Sequence, residues 1–175
     1  MTRTLSQWLA YQERVNVHSI ELGLDRVREV WQRMGAPAPA HRVITVGGTN
    51  GTGSTVALLE AMLTAAGLRV GTFTSPHLLE YNERIRIDGA NADDAMLIAS
   101  FERIEAARGA TLDDAIPLTY FEFVTLAARD LFARAGLDVA VLEGGLGGRL
   151  DAGNIIDADV AIVTTVDLDH MDWLG

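Results

Sequence analysis

Apolar positions along the chain alternate between two spacings. From residue 5 to 34, Leu5, Trp8, Leu9, Val15, Leu22, Leu24, Val27, Val30 and Trp31 recur at near-helical intervals, and this stretch reads as helix. Gly35, Pro37 and Pro39 close it. A β-branched run, Val43 to Val46, stops at Gly47-Gly48, and residues 54–66 return to helical spacing with Gly67 as their stop. Residues 69–73 read as a second strand, followed by a loop with Pro76 and the alternation Arg84-Ile85-Arg86-Ile87. A helix over 93–108 starts at Asp93 or Asp94, whose carboxylates suit an N-cap, and another over 119–135 ends at Gly136. The mostly apolar segments 138–142 and 160–166 read as strands of the kind buried on both faces of a parallel sheet. Strands alternating with helices predict an α/β fold: a mostly parallel, doubly wound sheet with helices on both faces, preceded by an N-terminal helical segment. We divide the chain into a helical lead-in over 1–40 and an α/β core over 41–175, in one domain.

Composition and charge narrow the classes of function. With 49% hydrophobic and 22% charged residues among 175, the chain has an ordinary globular balance. A net charge of −10 leaves no basic surplus for a nucleic-acid backbone, and an anionic ligand must be held by local groups. The absence of cysteine excludes disulfides and thiolate metal sites. No apolar run reaches the roughly 18 residues that cross a bilayer, and the start, MTRTLSQWLAYQERV, has no uninterrupted apolar core. A cytoplasmic protein with neither membrane nor nucleic-acid partners is the expectation.

The sharpest local signal follows the first strand. Gly47-Gly48-Thr49-Asn50-Gly51-Thr52-Gly53-Ser54 is a glycine-rich turn leading into a helix. Such a turn aims successive backbone N–H groups inward, and the helix N-terminus adds partial positive charge, so a phosphate fits there. The dinucleotide pattern GxGxxG is not met, because counting from Gly51 and Gly53 the sixth position is Val56. Nor is GxxxxGK[ST], because Thr52 stands where lysine is wanted. A tight strand-to-helix turn without a ligand remains the alternative.

The loop resembles the GTNGKGS phosphate loop of the folylpolyglutamate synthase and dihydrofolate synthase family, relatives of the Mur ligases, with one letter changed. Four more blocks resemble that family in order. The first is Thr74-Ser75-Pro76-His77-Leu78 with Glu83-Arg84-Ile85-Arg86, and the second Leu118-Thr119-Tyr120-Phe121-Glu122. Leu142-Glu143 then runs into Gly145-Leu146-Gly147-Gly148-Arg149-Leu150-Asp151-Ala152 with Asn154, and Asp169-His170-Met171-Asp172-Trp173-Leu174-Gly175 is last. The pairing of Thr-Tyr-Phe-Glu with Leu-Asp-Ala is similar to the bacterial bifunctional type, which also accepts dihydropteroate.

That resemblance implies an ADP-forming ligase that joins the amine of L-glutamate to a dihydropteroate or folylpolyglutamate carboxylate through an acyl phosphate, with ATP and Mg²⁺ as cofactors. It implies nucleotide contacts at Gly48, Thr49, Asn50, Gly51, Thr52, Gly53 and Ser54, and a metal site of Ser75, Glu143 and His170 near the γ-phosphate. Glu143 and His170 would be catalytic, with Thr52 at the substituted lysine position. Pterin-side contacts would fall to Ser19, Thr119, Tyr120, Phe121, Glu122, Leu150, Asp151 and Ala152. Taken singly, Ser75 also suits a turn, Glu143 a carboxylate bonded to loop amides, His170 a surface histidine, and the aromatic residues core packing. Arg84 and Arg86, alternating with isoleucines, also suit a solvated strand face.

Three departures stand out. Thr52 is too short and uncharged to bridge phosphates; Gly144 and Gly153 stand where the family usually has valine and threonine. The family's modified lysine and its C-terminal glutamate-binding domain would follow Gly175, and full activity would need them. Two alternatives stay open: a non-catalytic nucleotide- or pterin-binding module, and a Mur-type cell-wall ligase domain.

Overall fold

Strand β1, Arg42–Gly47, runs through the middle of the molecule and ends at the glycine loop; helix α3, Thr52–Ala65, leaves that loop at once. The computed structural model describes residues 3–16, 23–109, 115–145 and 148–168. The other elements in chain order are helices α1, Leu5–Val15, and α2, Asp25–Arg33, before β1, and strands β2, Val70–Phe73, β3, Ile85–Ile87, and β4, Ala90–Asn91, after α3. Helices α4, Asp94–Arg108, and α5, Tyr120–Ala135, follow, then strands β5, Val139–Glu143, and β6, Val160–Val163. One sheet has the order β4-β3-β2-β5-β1-β6. Its four longer strands are parallel, and β3 and β4 add an antiparallel edge.

The parallel register aligns the C-terminal ends of these strands. Val46 lies opposite Glu143, Phe73 opposite Leu142, and Gly47 opposite Val163. The connections leaving β1, β2, β5 and β6 therefore emerge along one edge, where open α/β sheets place their ligands.

Two apolar layers hold the sheet. On one face α5 is buried continuously from Glu122 to Phe132, because α1, α2 and α4 pack around it as well as the sheet. Trp8, Val27, Val30 and Trp31 share that core with Phe101, Phe123 and Phe132, so the lead-in helices are built into it. On the other face α3 contributes Val56, with Leu59 and Leu63, to a smaller cluster with Val46, Val70, Val139 and Val141.

Two expectations need correction. The single helix over 5–34 is two helices: α1 ends at Asn16 in extended geometry (φ −117°, ψ 134°), and Gly23 (φ 144°) precedes α2. Residues 17–22, including Leu22 and Ser19, lie outside the described residues. The run 160–166 is not a doubly buried strand. β6 stops at Val163 on the sheet's edge, and Val160, Val163 and Val166 are 50%, 68% and 87% exposed. An apolar run looks the same in sequence whether or not a further element covers it.

Candidate functional site

The glycine loop takes its shape from residues more than a hundred positions away. Thr49 N–H donates to the Thr165 carbonyl (2.9 Å) and Asn50 N–H to Thr165 Oγ1 (2.9 Å), while Thr164 Oγ1 donates to the Asn50 carbonyl (2.7 Å). Gly48, at φ 145°, passes so close to this segment that a Cβ there would stand 2.2 Å from Thr164 Oγ1. Gly51 then takes a left-handed turn (φ 82°) as the N-cap of α3 and brings no side chain to the cap. The first amides of a helix have no acceptor within it, so the N–H groups of Thr52, Gly53 and Ser54 face an outside acceptor. The nest is thus narrower than the span 48–54: the amides of Thr49 and Asn50 are engaged by Thr165, and those at the start of α3 carry the anion-binding geometry. Nothing local in the sequence marks Thr164 and Thr165 as the loop's anchors.

Glu143 ends β5 between the loops that leave β1 and β2, and it is only 6% exposed. Its Oε1 accepts from Thr52 Oγ1 at 2.5 Å and its Oε2 from Ser75 N–H at 2.8 Å. A Cβ at Gly53 would lie 3.6 Å from the same Oε1. The structure therefore brings Thr52, Ser75 and Glu143 together. His170, the third member of the expected metal site, lies outside the described residues, as do Leu146, Gly147 and the block from Asp169 onward. Among the described residues no group of three or more acidic, histidine or cysteine side chains could hold a metal ion. Glu143 suits a hard cation nonetheless: it is a buried carboxylate whose hydrogen-bond donors among the described residues, Thr52 Oγ1 and Ser75 N–H, are both neutral.

The expected pterin-side residues divide. Thr119 caps α5, its Oγ1 accepting from Glu122 N–H (3.2 Å), while Glu122 Oε2 accepts from Thr119 N–H (2.8 Å). Glu122 Oε1 is paired with Arg26 Nη2 at 3.0 Å. Burial pushes the Glu122 carboxyl above its ordinary range, against the pull of Thr119 and Arg26. Both of its oxygens are thus engaged in holding α5 and α2. Tyr120 packs edge-on to Tyr81, and Phe121 lies against Phe73 and blocks any side chain at Gly145. Asp151 is buried and ties two loops together, Oδ2 accepting from Gly145 N–H (3.0 Å) and Oδ1 from Gly153 N–H (2.8 Å). Ala152 is buried beside it, whereas Leu150 is 48% exposed. Ser19 is outside the described residues.

Gly153 tightens this turn, because a Cβ there would stand 2.8 Å from Asp151 Oδ1. At Gly144 the nearest atom to an added Cβ is 3.7 Å away, so a larger residue would fit. Below the turn the fully buried Arg129 donates to the Gly153 carbonyl; burial pushes its guanidinium pKa down to about 10, with Asp151 opposing.

Arg84 and Arg86 are not a solvated strand face. Arg84 is buried, with its guanidinium over Tyr81 and Tyr120 and its Nε donating to His77 Nδ1 (2.9 Å). Arg86 pairs with Glu60 of α3 (3.1 Å). Beside them Glu83 accepts from the N–H groups of Leu78, Glu80 and Leu79, which hold its carboxyl below the ordinary range and shape the loop after β2. One cleft runs from the glycine loop past Ser75 and Glu143 to Asp151 and Asn154.

No family model matches the chain. Individual proteins do. The chain is 53% identical over 171 residues to the Escherichia coli dihydrofolate synthase/folylpolyglutamate synthase, covering 98% of this chain and 39% of that protein. It is 37% identical over 164 residues to the Mycobacterium tuberculosis protein of the same name, covering 89% and 34%. Among solved structures, Escherichia coli FolC in complex with DHPP and ADP superimposes with a TM-score of 0.94 at 53% identity, over 99% of this chain and 41% of that one. The Yersinia pestis bifunctional folylpolyglutamate synthase/dihydrofolate synthase complexed with AMPPNP and Mn ion gives 0.90 at 55% identity, over 99% and 41%. The chain spans about two fifths of the length of these relatives.

Proposed function

The chain belongs to the dihydrofolate synthase/folylpolyglutamate synthase family, matching its N-terminal portion, and on that premise we propose that it is the nucleotide-holding part of an ATP-dependent, ADP-forming ligase of L-glutamate. The acceptor carboxylate would belong to dihydropteroate or a folylpolyglutamate. It would take the γ-phosphoryl group of ATP as an acyl phosphate, releasing ADP, and the glutamate amine would then displace phosphate to form the amide. The observation that carries this reading is the open first turn of α3 beside Glu143, at the edge where the parallel strands end. The amides of Thr52, Gly53 and Ser54 would hold the β- and γ-phosphate oxygens, and Gly51 lets the backbone approach them. Mg²⁺, held by Glu143 with Ser75 and His170, would supply charge neutralisation at the transferring phosphate. Asp151 and the turn it shapes would border the pterin.

Thr52 weakens this machinery. Without a lysine charge at the phosphates, the transition state loses roughly 2–4 kcal/mol, or about 30- to 1000-fold in rate. The same observation supports a second reading, a nucleotide-binding module without ligase activity. The experiment replaces Thr52 by lysine in the chain joined to the downstream portion that the longer relatives carry. ADP production dependent on both dihydropteroate and glutamate, rising at least about 30-fold on Thr52→Lys, is the expected result. No dependence on either substrate in either variant would sink the folate-ligase reading and favour the non-catalytic one.

A further inference from the structure

The Thr52 hydroxyl is not idle in the position where lysine is expected. It lies 2.5 Å from Glu143 Oε1, in the short range of charge-assisted O–H···O⁻ hydrogen bonds. The terminal torsion of a glutamate is broad, so hydrogen bonds decide where its carboxylate plane lies. Two donors from different elements do so here: Thr52 Oγ1 at the start of α3 and Ser75 N–H after β2. Each takes one oxygen, so the carboxylate plane is fixed and each oxygen keeps a lone pair for the cleft. Among the described residues neither donor carries charge, so neither competes electrostatically with a cation at the carboxylate.

From this geometry we infer that Thr52 is a positioning residue for Glu143: its hydroxyl orients the carboxylate toward a hard divalent cation. The substitution thus exchanges a side-chain contact to phosphate for a hydrogen bond behind a metal ligand. The inference rests on the metal role proposed for Glu143, and it does not require that nucleotide bind. Hydrogen bonds to ligating carboxylates of this kind typically govern about 10- to 100-fold in metal affinity.

The test uses Mn²⁺ alone, without nucleotide, followed by electron paramagnetic resonance of the free ion. Glu143→Gln gives the baseline from surface carboxylates, which a chain of net charge −10 has in number. The unsubstituted chain should bind one Mn²⁺ above that baseline. Thr52→Val, which keeps the shape and removes the hydroxyl, should weaken that site about tenfold, and Thr52→Ser should retain it. A second titration, ADP in the presence of EDTA, reads the loop amides apart from the Glu143 site. Equal or tighter Mn²⁺ binding by Thr52→Val would overturn the inference, and so would the absence of any Mn²⁺ site that Glu143→Gln removes. Failure of ADP to bind either chain would count against the nucleotide reading alone and leave the Mn²⁺ comparison intact.

Discussion

Thr165 shows how much of the glycine loop depends on single distant side chains. Its hydroxyl accepts from Asn50 N–H and donates to the Asn50 carbonyl (3.2 Å), while its own carbonyl accepts from Thr49 N–H. Replacing it by valine keeps the shape and removes two of these three bonds, at about 1 kcal/mol each. Thr165→Val should therefore weaken ADP binding several-fold in calorimetry while shifting the thermal midpoint by only a few degrees. An unchanged affinity would mean that the loop holds its form without this anchor. At this scale the sequence is only half legible. The glycines and Thr52 announce themselves by spacing, whereas the partners that fix them are over a hundred residues away and ordinary in type.

Among the elements, the α4–α5 pair carries the clearest electrostatic prediction. Asp130 on α5 is 2% exposed and accepts from Ser100 Oγ (2.8 Å) and Arg103 Nη2 (2.5 Å) on α4, and from Arg134 Nε (2.9 Å) on its own helix. Burial alone would raise its carboxyl pKa; the bonds from Arg103, Ser100 and Arg134 outweigh burial and hold it below the ordinary value. A depressed pKa stabilises the fold above the unfolded-state value, and that contribution is lost as pH falls through the lower folded value. Asp130→Asn should cost about 2 kcal/mol at neutral pH in urea unfolding, and the gap should narrow below about pH 4, where the unfolded carboxyl begins to protonate. A gap that stays constant to pH 2 would contradict the assigned pairing. Helix and strand positions are legible because period and stop signals coincide, as at Thr119 and Gly136 around α5. The break between α1 and α2 is less so, since apolar spacing continues across it.

For the whole molecule, a net charge of −10 gives no long-range attraction for a nucleotide, so the proposed binding would have to come from local groups, chiefly the amides at the start of α3. The doubly wound sheet is legible from the alternation of apolar runs with helical segments, and it brings the ends of β1, β2 and β5 to one edge. The exposure of β6 is not legible, because burial of an edge strand is decided by what lies beside it. The most direct measurement of the phosphate role is calorimetric titration of Mg²⁺·ADP into the chain and into Gly48→Ala, with circular dichroism to show that both are folded. At Gly48 an added Cβ meets Thr164 and Thr165 and must adopt φ 145°, so the loop cannot keep its path. Binding by the unsubstituted chain, weakened at least about tenfold by Gly48→Ala, is the predicted result. Equal binding by both folded chains would contradict a phosphate site in this loop.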